Sequence, residues 1–153
     1  MVFNYTLAIM KKVNRKIEYS LMALKHMSSK LPGELTTAKE VSDLCQAPFD
    51  ATARVMQVMA QKGWLKSEHG AFGGYQITKD LSRVTLNDLM NVIQGPTKIA
   101  RCLNRSEPCE IQSSCNIISP INSLNHRLTE FYKSVTIKDI LFGQSQSSGR
   151  MSP

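Results

Sequence analysis

No stretch of this chain approaches the ~20 consecutive apolar residues that a membrane-spanning helix needs. Its start, MVFNYTLAIMKK, is mildly apolar, but no small-residue cleavage site follows a long apolar core. A secretory leader is therefore not expected, and the expected location is the cytoplasm. Also missing are an HExxH pair, a phosphate-binding glycine loop and any nucleophile–base constellation, so nothing here reads as an enzyme. Cysteine is scarce, with 4 in 153 residues. A chain of this length buries a core without disulfide staples, and a reducing compartment keeps its thiols free. Acidic residues are outnumbered, 12 Asp and Glu against 19 Lys and Arg, for a formal charge of +7. A small basic domain often meets a polyanion. The interspersed acids leave an ordinary solvated surface as the plainer explanation of the same charge.

What cysteine there is lies close together. Cys102, Cys109 and Cys115 share one polar stretch, RCLNRSEPCEIQSSC, in the pattern C-x6-C-x5-C. Pro108 and small polar residues let such a loop bend around a centre. Clustered thiols in a reducing location point to metal or redox chemistry rather than to disulfides. Three thiols rather than two argue against a simple dithiol switch. Cys45 stands apart and reads as a small buried hydrophobe.

Ile17, Leu21, Leu24 and Met27 recur at helical spacing and predict a first helix from Asn14 to about Lys30. LPGEL breaks it. Thr37, followed three residues later by Glu40, has the form of a capping box and opens a second helix over 37–45. QAPF is a turn. DATARVMQVMAQKG is a third helix, with Asp50 as N-cap, Gly63 just past its end, and Val55, Val58 and Met59 on its apolar face. Strand-like pieces Trp64–Ser67 and Tyr75–Thr78 flank a glycine-rich tip and predict a hairpin. TLNDLMNVIQG is a fourth helix ending at Gly95. Ile121, Leu124, Leu128, Phe131 and Val135 form a heptad-like seam on one long helix starting near Pro120. The tail is low in apolar residues and is expected to be disordered. His26 and His126 read as surface residues, and the 8 Met mostly as core filler.

The expected fold is therefore mainly α with a small β-hairpin wing: a winged helix-turn-helix plus a long C-terminal dimerisation helix. Residues 10–80 would form the DNA-binding domain. Residues 81–142 would hold the linking helix, the cysteine loop (101–115) and the dimerisation helix, and 143–153 the tail. In such a fold the third helix enters the major groove with its first turns against base edges. Asp50, Thr52, Arg54 and Gln57 lie there. The glycine-rich tip lets the backbone approach phosphates or a minor groove, which makes His69 and Tyr75 further DNA-binding candidates.

The stretch GWLKSEHGAFGGYQITKDLSRVTLNDLMNVIQG resembles the wing and following helix of the Rrf-two family of bacterial regulators, which includes IscR-, NsrR- and RirA-like branches. GGY, then KD, then the TLNDL helix carry the likeness, together with the three-cysteine loop directly after. The resemblance runs from about Met10 to Phe142, which makes Met10 an alternative start. It implies a transcription regulator, a repressor by the usual pattern, that binds palindromic double-stranded DNA as a homodimer. It also implies control by an iron–sulfur cluster, 2Fe–2S or 4Fe–4S, that senses iron, redox state or nitric oxide. Cys102, Cys109 and Cys115 would be its thiolate ligands. Three thiolates leave one iron short of a ligand, which suits a sensor. The IscR-like branch carries a His three positions after the last cysteine; here that residue is Ile118. The NsrR-like branch uses an acidic residue near the start of the first helix of the other subunit; by alignment through EYSLMAL that residue is Glu18. The first cysteine gap, six residues where five is more common, leaves the branch and the cluster type open. Family members often carry Arg where this chain has His69. A structural zinc site, which needs a fourth ligand, and a trio of free thiols stay open. So does a cluster-free regulator or adaptor acting through thiol chemistry or a protein partner, although that branch tends to lack the cysteine loop.

Overall fold

The computed structural model describes residues 13–96, 98–104 and 109–143. The expected disordered tail (beyond Gly143), the alternative start at Met10 and the centre of the cysteine loop (105–108) lie outside the described residues.

Each early helix starts on a side chain that takes up orphan N–H groups. Asn14, in extended backbone, accepts from Lys16 and Ile17 and opens α1 (Arg15–Ser28). Thr37 accepts from the Glu40 N–H at 3.1 Å and opens α2 (Ala38–Cys45). The expected capping box is only half formed there. The Glu40 carboxylate turns to α1 instead, 2.6 Å from Lys30 Nζ and 2.8 Å from His26 Nε2. A charge-assisted contact across two helices outcompetes a return bond to one neutral N–H.

The third helix, α3 (Phe49–Gln61), begins one residue before Asp50, with Pro48 at the N-cap and no side-chain cap. Asp50 is thus not the cap but a first-turn acid, favoured there by the positive end of the helix. The Pro48 carbonyl accepts both the N–H and the hydroxyl of Thr52, each at 3.0 Å, and these bonds close the first turn. Val55, Met56 and Met59 are buried, with Val58 only partly so. Gly63, at φ +71°, supplies the left-handed residue just past the end.

Two strands follow, β1 (Leu65–Glu68) and β2 (Gly74–Ile77), antiparallel with Leu65 opposite Ile77 and Glu68 opposite Gly74. Thr36 adds an antiparallel bridge to Tyr75 and widens the sheet beside β2. Next comes α4 (Leu86–Gln94), where Thr85 and Asp88 make a complete capping box. Past the cysteine loop run α5 (Ile118–Ser134) and α6 (Ile137–Phe142).

The predicted single C-terminal helix is thus two, and Val135 lies outside both in extended backbone. The cause is a main-chain clasp. Val135 O accepts from Leu86 N, Ile137 N donates to Val84 O and Lys138 N donates to Leu81 O, all at 2.9 Å. Thr136 and Asp139 then cap a fresh helix. Ile137 is wholly buried and joins the core of Ile17, Leu24, Val41, Met56, Met59, Leu89 and Met90. From α6 the Phe142 ring sits under Lys25 of α1, with Nζ 3.9 Å from the ring centroid, and Leu141 O accepts from the same ammonium. Among the described residues no helix is long and apolar enough to cross a membrane.

The Glu40 contact has a pH signature. The hydrogen bond from Lys30, with a smaller one from His26, holds the Glu40 carboxyl below its ordinary value, against the opposing effect of partial burial. A depressed carboxyl contributes stability that is present above its unfolded pKa of 4.5 and is lost as pH falls through the lower folded value. Glu40→Gln should therefore lower the denaturation midpoint at neutral pH and flatten its fall below about pH 4.5. Parallel acid limbs for the two proteins in urea titrations would show that Glu40 is not the group responsible.

Candidate DNA interface and cysteine loop

The turn between α2 and α3 rests on Gln46, at φ +51° the one described non-glycine residue with positive φ. Its neighbour Ala47 donates to Ser42 O at 3.0 Å and closes the end of α2. This fixes α3 across α2 and turns one face of α3 outward. Asp50, Arg54, Gln57 and Gln61 are all exposed. Their spacing of four, three and four places them on a single stripe. A carboxylate, a guanidinium and two carboxamides in a row match the acceptors and donors of base edges. Thr52 is the correction: it is wholly buried and its hydroxyl is committed to Pro48 O, so its side chain belongs to the inner face. Its place three residues before Val55 and seven before Met59 carried that signal in the sequence. Phe49, read as part of a turn, is instead the first residue of α3 and is 53% exposed.

Only Lys62, Gly63 and Trp64 separate α3 from the wing, so the hairpin leaves directly from the end of α3. Trp64 is buried, and its N–H donates to Met59 O at 2.8 Å. His69 is exposed at the tip. Tyr75 is half-buried against the core and bonds Thr36 through both backbone groups, at 2.8 and 3.0 Å. Tyr75, opposite Ser67, therefore lies one pair in from the tip-side end of the ladder, while the tip itself holds His69. On β1 Lys66 and Glu68 pair at 2.7 Å, which lowers the Glu68 carboxyl and raises the Lys66 ammonium.

After α4 the chain makes a 3-10 turn at Arg101–Leu103, which carries Cys102, and a second at Gln112–Ser114, directly before Cys115. The loop is tied to α5 through Ile99 N–H, which donates to the buried Asn125 side chain at 3.3 Å. Cys102, Cys109 and Cys115 are each half-buried free thiols. The donor chemistry suits an iron–sulfur cluster, being three unpaired soft ligands on one loop. They are not gathered: among the described residues no three His, Cys, Asp or Glu side chains converge as a metal-holding group. Cys45, the last residue of α2, packs against the core as its sequence position suggested. Glu18 lies in the first turn of α1, partly exposed, and pairs with Arg15 at 2.9 Å.

A helix-turn-helix with a polar outer stripe, followed at once by a two-stranded wing, defines a winged-helix transcriptional regulator. The family model Rrf2, described as an iron-dependent transcriptional regulator, matches residues 13–142, and the chain belongs to that family. It is a family of regulators, not of enzymes. Over 127 residues the chain is 24% identical to a protein of Aquifex aeolicus (strain VF5) named for HTH-type transcriptional regulation, with 82% of this chain and 88% of that one covered. It is 17% identical over 128 residues to the HTH-type transcriptional regulator NsrR of Shouchella clausii (strain KSM-K16), covering 83% and 86%. Its fold is similar to that of CymR (YrzC), the global cysteine regulator of B. subtilis, at a TM-score of 0.64 and 21% identity, over 86% of this chain and 97% of that one.

Arg54 sits at the middle of the outer stripe. Losing one bidentate contact to guanine costs about 1–3 kcal/mol and relaxes specificity at one base pair. Arg54→Ala should therefore weaken binding to a duplex selected by the wild-type chain from a random pool more than binding to unrelated DNA. Equal losses on both, measured by fluorescence anisotropy, would make Arg54 a phosphate contact.

Proposed function

We propose that this chain is a cytoplasmic, homodimeric repressor whose DNA affinity is set by an iron–sulfur cluster. Cys102, Cys109 and Cys115 are the thiolate ligands, and Glu18 of the partner subunit completes the set. The observation that carries this reading is the loop itself. It holds three of the chain's four cysteines as free thiols and is tied to α5 by Asn125.

The exposed seam of α5 supports the dimer. Leu124 and Phe131, 47% and 59% exposed, lie seven residues apart on α5, and Ile117 at its N-cap, 55% exposed, continues that spacing. Ile121 and Leu128 fill the intermediate heptad positions. Pairing α5 with its copy sets two α3 helices about one helical turn apart on a duplex, ~34 Å, which matches a palindrome. Asp50, Arg54 and Gln57 then read base edges, and His69 lies by the backbone. The cluster supplies an iron that is incompletely bound by thiolate and so is open to oxygen, nitric oxide or competing ligands. Glu18 stands on the helix that underlies the DNA-binding core. Exchange of Glu18 between Arg15 and the partner's cysteine-loop site would link that site to the DNA-binding core through α1.

A second reading is a cluster-free regulator that works through its thiols. The ungathered arrangement of the described donors favours it, as does the fold likeness to a cysteine regulator.

Anaerobic purification separates the two. The cluster reading expects brown protein whose visible absorption is abolished or greatly weakened by Ala at any one of Cys102, Cys109 or Cys115 and survives Cys45→Ala. Colourless protein after reconstitution with iron and sulfide would leave the thiol reading. Glu18→Ala should keep the colour, shift the spectrum and uncouple cluster state from DNA affinity. An unchanged spectrum with normal regulation would place the fourth ligand elsewhere.

A further inference from the structure

We propose that Phe72 is an apolar wedge that the wing inserts into the minor groove, unstacking one base step and bending the DNA. The inference rests on the DNA-binding reading above and assigns a role to a residue outside the α3 stripe.

Phe72 is 95% exposed, the highest value among the exposed large hydrophobic residues described. It occupies a built position. The Gly73 N–H donates to Gly70 O at 3.1 Å and closes a four-residue turn with Ala71 and Phe72 at its corners. Gly70 has φ +117°, which favours glycine. A Cβ on Gly73 would stand 2.5 Å from Glu68 O, so only glycine lets the chain pass there. The tip is therefore held in shape by its glycines, and they keep it narrow on both sides of the ring.

Charge cannot do the work at this tip. From Ser67 to Thr78 there is no Lys or Arg. Of the two lysines that border this stretch, Lys66 is engaged by Glu68 at 2.7 Å. A tip without Lys or Arg gains little from phosphates. What it offers is a ring whose burial removes apolar surface from water. Docking onto a protein would call for an apolar patch around that ring. Here its neighbours on the tip are His69, Gly70, Ala71 and Gly73. A lone ring on a glycine-flanked tip fits a groove about 6 Å wide. Inserted apolar side chains of this kind part base steps and kink the duplex. Pyrimidine–purine steps part most easily, so the wedge would select such a step without any hydrogen bond.

The test uses the full chain and a duplex that it selects from a random pool, with 2-aminopurine placed in turn at each step flanking the two α3 half-sites. Wild-type protein should raise the fluorescence at one flanking pyrimidine–purine step several-fold and bend the duplex in an end-to-end energy-transfer measurement. Phe72→Ala should abolish that rise, reduce the bend and weaken binding by about tenfold. The slope of log affinity against log salt should stay the same, because Phe neutralises no phosphate. Phe72→Leu should retain the rise in part. Phe72→Lys should lose the rise while steepening the salt slope. A Phe72→Ala protein with an unchanged rise and bend would overturn the wedge, as would a change in oligomeric state with DNA binding intact. If the wild-type chain selects no duplex, the DNA-binding reading itself falls, and the wedge with it. The side chain is almost wholly in solvent, so equal thermal midpoints across the variants should confirm that folding is not the variable.

Discussion

The clasp between residues 81–86 and 135–138 is the constraint on which the rest of the arrangement depends. Three main-chain hydrogen bonds of 2.9 Å join two segments separated by the whole of α4, the cysteine loop and α5. Because Ile137 is wholly buried with Leu86, Leu89 and Met90, the clasp is part of the same core that carries α1 and α3. Both ends of the cysteine loop and α5 unit are thereby anchored in the core that carries α1 and α3. Any displacement of α5 must pass through α4 or α6, and α6 grips α1 through Lys25 and Phe142.

Electrostatics act on this frame in two different ways. Most ion pairs are exposed neighbours on one element, such as Arg15–Glu18, Lys39–Asp43 and Lys133–Glu130. Pairs of that kind are screened by solvent and add little to stability. The Glu40 carboxylate differs because it joins two helices, gathering His26 and Lys30 of the α1 end onto α2. The net charge of +7 is not uniform either. The outer face of α3 carries one acid and one base, and the wing tip has no Lys or Arg at all. Most of the basic residues therefore lie outside the α3 stripe and the wing tip.

The sequence by itself determined the element order and where most helices begin. Asn14, Thr37 and Thr85 each act on an N–H two or three residues ahead, and a bond that short needs no tertiary context. The hairpin was equally legible, since apolar runs around a glycine-rich tip specify it locally, and the winged helix-turn-helix followed from that order. The three-cysteine pattern was legible as chemistry, though not as geometry. Only the tertiary structure decided the choices between competing partners. Glu40 had a local bond available and took Lys30 and His26 at the end of α1 instead. Thr52 could have faced DNA, but packing against α1 and α2 put its side of α3 inward. The heptad seam predicted one helix through Val135, yet residues 81–86 offered backbone partners that ended it at Ser134. Capping is settled within one turn of chain. Burial and strand-like pairing are settled by whatever the fold brings alongside.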